Sequence, residues 1–170
     1  GRDETTTLCL IPMVKKEIKV PLIAAGGIAS GRGMLACMIL GAEGVQIGSR
    51  FVASLESSAH ANFKKAILDA KEGDTQLTLK ELTPVRLLKN DFYEHVQQAY
   101  AKGASKEALI ELLGRGRAKK GMFEGDLIEG ELEIGQIAGL MNEELPAKKI
   151  IENLIEEFDE AKKELLTDLF

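Results

Sequence analysis

The sequence predicts an α/β protein built around a parallel βαβ unit, and three observations lead to this prediction. Residues 20–25 are apolar almost throughout and end in Gly26 and Gly27, which is typical of a strand buried on both faces of a parallel sheet. A second short apolar segment, residues 45–47, ends in Gly48. A helix is expected between them, and the two strands start about two dozen residues apart, which fits a minimal crossover unit.

Hydrophobic spacing and capping residues predict the other elements. Apolar residues recur at helical spacing over residues 7–16, and Ser30 is a suitable N-cap for the crossover helix, which Gly41 would end near Leu40. Pro84 would interrupt an element before it. Beyond Phe51 we expect a helix from Ser57 or Ser58 to Lys71, a strand or extended loop over 76–82, short helices over 91–101 and 105–113, a glycine-rich basic segment over 114–126, and an amphipathic helix over 146–166.

That last helix carries an apolar stripe and an outer face of alternating acidic and basic residues, which is typical of a helix with one solvated face. The stripe comprises Ile150, Ile151, Leu154, Ile155 and Phe158.

Composition limits the classes of function. The chain has 170 residues, 45% of them apolar, a net charge of −5 and no Trp, so we expect one domain, or a domain with an appendage, and no nucleic-acid partner. No apolar run reaches the roughly 20 residues of a membrane span, and no signal peptide is recognised. Cys9 and Cys37 are isolated cysteines in apolar surroundings, which favours core thiols in a cytoplasmic protein. The chain begins with Gly1 rather than Met, which suggests a cut inside a longer protein.

The two glycine-ended strands predict a phosphate site. Backbone N–H groups at Gly26, Gly27 and Gly48 can approach an anion because no Cβ intervenes, and the Ser49 hydroxyl adds a donor. The N-terminus of the helix after Gly27 is expected to contribute its dipole. The last two strands of an eight-stranded β/α barrel build such a site. The alternative is that both glycine segments are only tight turns.

A second alternative is a dinucleotide-binding fingerprint. Residues 31–36 read Gly-Arg-Gly-Met-Leu-Ala, which fits a GxGxxA pattern. The first glycine of that fingerprint directly follows its strand, whereas here Gly26 already ends the strand. Glu43 precedes the second strand instead of following it, so this interpretation is the weaker one.

Residues 23–29 (IAAGGIA) and 40–51 (LGAEGVQIGSRF) together resemble the nitronate monooxygenase family, formerly called 2-nitropropane dioxygenase, which includes the flavin-type enoyl-acyl-carrier-protein reductases. The resemblance continues through residues 84–86, 89–90 and 135–140. It implies the C-terminal part of an FMN-binding TIM (β/α) barrel with a mainly helical appendage. It also implies which residues face the FMN phosphate: Gly26 and Gly27 at the end of barrel strand seven, and Gln46, Ile47, Gly48 and Ser49 at the end of strand eight.

The same resemblance implies three segments. Residues 1–56 would hold the last βα units and the phosphate site, residues 57–141 a mainly helical appendage or lid, and residues 142–170 the C-terminal amphipathic helix. A barrel needs about 250 residues and eight strands, so we expect this truncated chain to be inactive alone. The family's Gly-Gly-His motif, which carries its presumed base, is absent, and we predict no catalytic residue here.

The implied activity of the complete protein is FMN-dependent oxidation of alkyl nitronates with dioxygen. The alternatives are an enoyl-acyl-carrier-protein reductase using NAD(P)H, a non-catalytic partial barrel that self-associates through its strand edges, and a sugar-phosphate barrel enzyme without flavin. The expected partners are a small-molecule substrate, a further copy of the chain in a homo-oligomer and, for the reductase, an acyl carrier protein.

Other polar residues have ordinary structural interpretations beside functional ones. His60 and His95 have no partner at metal-ligand spacing and are expected to be surface or hydrogen-bonded histidines rather than bases. Arg86 and Asn90 match the family pattern and either contact substrate or bond internally. A basic cluster would either cap a helix or contact the phosphate of NADPH or an acyl carrier; it comprises Arg115, Arg117, Lys119 and Lys120. Alternating acids at Glu129, Glu131 and Glu133 suggest a strand or turn edge, and we predict no metal.

Overall fold

The computed structural model describes residues 4–167, which form two compact units. The first unit comprises residues 4–56 and 145–167, and the second comprises residues 57–144. Their elements, in chain order, are α1 (Thr7–Glu17), β1 (Ile23–Ala25), α2 (Gly31–Ile39), β2 (Gly44–Gln46), α3 (Ser49–Val52), α4 (Ala61–Asp69), β3 (Thr75–Thr78), β4 (Val85–Leu88), α5 (Asp91–Ala101), α6 (Lys106–Leu113), α7 (Arg117–Met122), a short 3-10 helix (Gln136–Leu140) and α8 (Ala147–Thr167).

The predicted βαβ unit is present in the first unit. β1 and β2 pair in parallel, with Ile23 opposite Gly44 and Ala25 opposite Gln46, and α2 connects them. The Ser30 hydroxyl accepts a hydrogen bond from the Gly33 N–H at 3.1 Å, so Ser30 caps α2 as predicted.

β1 is shorter and more exposed than predicted. The ladder covers only Ile23–Ala25, and the side chains of Val20 and Ile23 are 63% and 53% exposed, although Ala24 is buried. The expectation of a strand buried on both faces is therefore wrong for the described residues. The physical reason is that, among residues 4–167, this sheet has two strands, so little structure is available to cover the side chains of β1.

The first unit has a small core. A cluster of five buried residues lies between α1, the sheet and α2, and it comprises Ile11, Ala24, Ile28, Cys37 and Ala42. α8 packs against α2 and buries Ile150, Leu154 and Ala161. Ile151 and Ile155 were predicted in the apolar stripe of α8, but both are about half exposed. The stripe is narrower than predicted because α8 packs mainly against one helix.

The second unit is built on an antiparallel hairpin. β3 pairs with β4, with Thr75 opposite Leu88, and the extended residues that follow α7 continue this pairing, since the Ile134 N–H donates to the Arg86 carbonyl. The sequence indicated only a strand or loop over 76–82, because two short strands interrupted by Pro84 have weak alternation. Large side chains are fully buried in the second unit, including Phe63, Ile67, Leu79, Leu87, Phe92 and Val96.

The helices of the second unit confirm some predictions and correct others. α5 and α6 coincide with the predicted segments, capped by Asn90 and Ser105. α4 begins at Ala61 and is capped by His60, so the predicted cap at Ser57 or Ser58 is wrong. Ser57 instead accepts a bond from the Ala59 N–H in a tight turn. The glycine-rich basic segment contains α7, which the sequence analysis did not predict.

Candidate functional site

The two glycine segments of the predicted phosphate site come together at one edge of the first unit. Gly26 and Gly27 directly follow β1, and Gly48 lies two residues beyond the end of β2. Because the strands are parallel and in register, Ala25 opposite Gln46, both segments leave the sheet at its carboxyl edge. Such an edge is where open α/β sheets bind ligands.

The space at this edge is open. In the part of the chain that the structure describes, and apart from chain neighbours, a Cβ added to Gly26 or Gly48 would have no heavy atom within 4 Å. Gly26 and Gly27 have φ angles of +94° and +74°, which glycine adopts readily and other residues rarely do. These residues therefore fit a group that needs backbone donors and unobstructed approach, such as a phosphate.

The other predicted site residues contribute through different atoms. Gln46 ends β2 and is exposed. The side chain of Ile47 packs against the core cluster of the first unit, so only its backbone is available to a ligand. Gly48 is the N-cap of α3, and Ser49 is the first residue of that helix.

Thr7, which was not predicted from the sequence, also lies beside these glycines. Its hydroxyl donates to the carbonyl oxygen of Gly26 at 2.9 Å. A topological rule could have found it: a helix that enters a βα unit runs back along its strand, so the N-terminus of α1 lies near the carboxyl end of β1. The ion pair between Lys15 and Glu43 ties the other end of α1 to the start of β2, which agrees with that direction.

The N-terminus of α2 does not face an available anion site, contrary to the sequence-based expectation. The Gly31 N–H donates to a carboxylate oxygen of Glu157 on α8 at 2.8 Å. A carboxylate therefore already occupies the positive end of the α2 dipole. The candidate phosphate donors are therefore the backbone N–H groups of the two glycine segments, which lie at the carboxyl ends of the strands.

Comparisons with known proteins connect this arrangement to a family. The model of the family described as nitronate monooxygenase matches residues 1–157. This chain belongs to that family. The resemblance suggested by the two glycine segments is thereby confirmed.

Three relatives show how much of this chain is similar to other members of the family. A probable nitronate monooxygenase of Staphylococcus saprophyticus is 35% identical over 156 residues, which are 91% of this chain and 43% of that protein. The structure of FabK from Thermotoga maritima has a TM-score of 0.88 at 41% identity, covering 95% of this chain and 51% of that one. The structure of nitroalkane oxidase from Streptomyces ansochromogenes has a TM-score of 0.73 at 32% identity, and the match covers 94% of this chain and 45% of that one.

The chain thus spans about half the length of these relatives. Their structural similarity confirms the predicted fold class, an α/β chain forming part of a β/α barrel with a mainly helical second unit. Among residues 4–167, no helix is long and apolar enough to cross a membrane.

Two residues that match the family pattern, Arg86 and Asn90, bond within the second unit. Arg86 donates to the carbonyl oxygen of Thr75 across the hairpin at 3.1 Å. The Asn90 amide donates to three carbonyl oxygens, those of Leu127, Ile128 and Gly130, while its oxygen caps α5 by accepting from the Tyr93 N–H. These contacts favour the structural interpretation of both residues.

Most of the predicted basic cluster is engaged inside the second unit as well. Arg117 donates to the carbonyls of Leu112, Leu113 and Glu129, and its guanidinium lies 4.4 Å from the ring centroid of Phe92. Two lysines of α7 form ion pairs, Lys119 with Glu124 and Lys120 with Asp126. These contacts favour helix capping and packing over the binding of a phosphate-bearing partner.

The alternating acids include one buried carboxyl. Glu131 is 8% exposed, and burial, with the charge of Glu133 as a smaller cause, raises its pKa to about 7. Arg117 acts in the opposite direction. Within the described residues no group of three or more His, Cys, Asp or Glu side chains could hold a metal.

The two histidines have structural contacts. His60 caps α4 by accepting from the Asn62 N–H at 3.1 Å. His95 is exposed, with its Nδ1 at 3.9 Å from a Glu129 carboxylate oxygen. Neither lies in the first unit, which holds the glycine segments.

Proposed function

We propose that this chain supplies the phosphate-binding end of an FMN site in an oxidoreductase of the nitronate monooxygenase family. The observation that supports the proposal is the juxtaposition of Gly26, Gly27 and Gly48 at the carboxyl edge of a parallel strand pair, with open space above Gly26 and Gly48. The proposal assigns residues 1–56 to the site, residues 57–141 to an appendage or lid, and residues 142–170 to the C-terminal helix.

Bound FMN would supply the redox chemistry, passing electrons between substrate and dioxygen. The role of this chain's residues is binding and orientation. Backbone N–H groups of Gly27, Gly48 and Ser49 would hold the phosphate, with the Ser49 hydroxyl as a further donor. A fixed phosphate limits the positions that the rest of the cofactor can take, and precise placement of reactants lowers the entropic part of a reaction barrier. The substrate in this proposal is an alkyl nitronate.

Comparing FMN with riboflavin tests this proposal, because the two differ only by the phosphate. We expect the chain to bind FMN more tightly than riboflavin by a factor of about 10 or more, since hydrogen bonds to a charged group contribute about 1.5–3 kcal/mol each. Isothermal titration, or amide shifts in nuclear magnetic resonance spectra if binding is weak, would measure both affinities.

Gly48→Val sharpens the test. Gly48 has φ −105°, which a β-branched residue can adopt, and its Cβ direction is empty, so the fold should tolerate the change while the new side chain fills the space proposed for the phosphate. Gly33→Ala is the matched control, because its Cβ would make ordinary contacts with Ser30 Oγ at 3.5 Å and Ile28 Cγ2 at 3.7 Å. If the chain binds FMN and riboflavin equally, or if Gly48→Val leaves the FMN preference intact, the proposed phosphate site is wrong.

The second candidate is an enoyl-acyl-carrier-protein reductase that uses NAD(P)H and the same FMN site. In this proposal FabK stands for the reductase branch, and the supporting observation is the higher identity to FabK, 41%, than to nitroalkane oxidase, 32%. Assays of the complete FMN-loaded protein, of which this chain is proposed to be a part, separate the two candidates. NAD(P)H oxidation that depends on an enoyl thioester indicates the reductase, whereas oxygen consumption that depends on a nitronate indicates the monooxygenase.

Self-association is a separate proposal, supported by apolar side chains that are exposed on and beside β1. Val20 and Ile23 are largely exposed there, as are Leu8 and Met13 on α1, and exposed strand edges favour pairing between chains. Sedimentation velocity over a range of concentrations tests it. Replacement of Ile23 by Lys should shift an oligomer toward monomer, and a native chain that is monomeric at all concentrations would contradict the proposal.

A further inference from the structure

The peptide group between Gly26 and Gly27 is held by a residue from another element. The Thr7 hydroxyl donates to the Gly26 carbonyl oxygen at 2.9 Å, across a sequence separation of 19 residues. A trans peptide is planar, so its C=O and N–H point in opposite directions, and the described part of the chain contains no cis peptide. A contact that fixes the Gly26 oxygen therefore also fixes the direction of the Gly27 N–H.

This peptide needs to be held because its two residues are both glycines. The φ angles are +94° and +74°, and glycine populates positive and negative φ about equally. Rotation of the whole peptide group is consequently cheap here. Among residues 4–167, and apart from chain neighbours, Thr7 Oγ1 at 3.8 Å is the one heavy atom within 4 Å of the Cβ position built on Gly27, and none lies within 4 Å of the position built on Gly26.

We propose that the Thr7 hydroxyl selects the orientation of the Gly26–Gly27 peptide that presents the Gly27 N–H to a phosphate monoester. Thr7 acts as a positioning residue: it bonds the carbonyl oxygen, so the N–H of the same peptide points away from Thr7. The inference rests on the proposed FMN phosphate site and adds to it a residue on α1, outside both glycine segments.

Three variants of the 170-residue chain test this role. Thr7→Val keeps the shape but removes the donor, Thr7→Ser keeps the donor, and Thr6→Val is the matched control, because Thr6 is the neighbouring N-cap residue and its side chain makes no capping hydrogen bond. The first readout needs no ligand: the amide and carbonyl signals of Gly26 and Gly27 in the nuclear magnetic resonance spectrum. The second is the ratio of the affinities for FMN and riboflavin.

We expect Thr7→Val to shift and broaden the Gly26 and Gly27 signals and to weaken FMN binding about fivefold, the size of one net hydrogen bond, while riboflavin binding stays unchanged. Thr7→Ser should restore both readouts, and Thr6→Val should change neither. Unaltered glycine signals and an unaltered FMN affinity in Thr7→Val would overturn the inference. So would an equal loss of FMN and riboflavin binding, since that indicates general damage to the loop.

Failure of the proposed function looks different. If the native chain binds FMN no more tightly than riboflavin, the phosphate site itself is wrong, and the role of Thr7 toward phosphate is overturned with it. The ligand-free spectra still report in that case whether Thr7 holds the peptide. A native chain that prefers FMN, combined with a Thr7→Val variant that prefers it equally, overturns the inference alone.

Discussion

The two units differ in how far their own residues bury their apolar side chains. In residues 57–144, large side chains such as Phe63, Ile67 and Phe92 are fully buried. In residues 4–56 with 145–167, the core is made mostly of small residues, and large side chains such as Val20 and Ile23 remain exposed. An apolar segment of the sequence therefore predicts burial only where enough of the structure packs against it, and in the first unit the described residues cover only part of the apolar surface.

The proposed site lies in the first unit, where fewer large apolar side chains are buried. Its glycine segments sit at the edge of a two-stranded sheet, a size that is marginal without further packing. α8 therefore has a supporting role, because it packs on the helix that joins the two strands. The following predictions test whether the first unit depends on that packing while the second depends on its own core.

The largest expected effect comes from Gly31, where α2 and α8 meet. A Cβ added there would lie 2.3 Å from both the Leu154 oxygen and the Phe158 nitrogen, which are backbone atoms that a side-chain rotation cannot move. We expect Gly31→Val to cost at least about 3 kcal/mol, as severe overpacking does. Hydrogen exchange should show lost amide protection in α2 and α8, with protection retained in residues 57–144.

The matched control for that change is Gly33→Ala, which adds a methyl group to the same helix at ordinary contact distances. It should leave the free energy of unfolding within about 0.5 kcal/mol of the native value. Equal loss of amide protection in both units after Gly31→Val would contradict this prediction, since it would show that the two units unfold together.

The next prediction compares two apolar side chains directly. Phe92 is fully buried in the second unit, and Arg117 lies over its ring, so Phe92→Ala should cost about 3–5 kcal/mol. Ile23 in β1 is 53% exposed, and Ile23→Ala should cost less than about 1 kcal/mol. Urea unfolding of both variants measures the difference. Similar costs would show that the edge of β1 is covered in solution.

How much of this molecule was predictable depends on the range of the interactions concerned. The βαβ unit and the meeting of Gly26 with Gly48 follow from local patterns and from the geometry of parallel strands, so the sequence predicted them. The helix capped by Ser30 was predictable for the same reason. Sequence spacing specifies these features without knowledge of distant residues.

The errors come from contacts between residues far apart in the chain. Glu157 accepts a hydrogen bond from the Gly31 N–H across 126 residues of sequence, and the residues next to Gly31 do not predict this bond. The short strands β3 and β4 stabilise each other and are weak when read singly. Thr7 is an intermediate case. Its position near the carboxyl end of β1 follows from the direction of α1, but its hydrogen bond to Gly26 could not be predicted from the sequence.

A smaller effect is expected at Asn90, which stabilises the second unit through polar contacts. Its amide donates to the carbonyl oxygens of Leu127, Ile128 and Gly130 at 2.8–3.1 Å, and its oxygen caps α5. Asn90→Ala should cost about 2–3 kcal/mol, because it removes a cap and leaves partly buried acceptors unpaired. Asn62→Ala is the control, since exposed Asn62 donates one amide bond, to Gly125. If chemical denaturation shows that both variants lose the same free energy of unfolding, the hydrogen bonds of Asn90 contribute no more than a surface contact.

The smallest effect expected is a pH dependence confined to the second unit. Burial raises the pKa of Glu131 from 4.5 to about 7, so between these two pH values the folded chain holds a proton there that the unfolded chain has released. This proton stabilises the fold fully below pH 4.5, and its contribution is lost as pH rises through 7. Glu131→Gln should therefore raise the melting temperature at pH 8 by about 2–4 °C and make little difference at pH 4.5. Glu111→Gln, at an exposed position on α6, should change it at neither pH. Because Glu131 packs near α7 and not in the first unit, the gain should appear in hydrogen exchange of residues 57–144; a gain in α2 and α8 instead would mean that the two units share their stability.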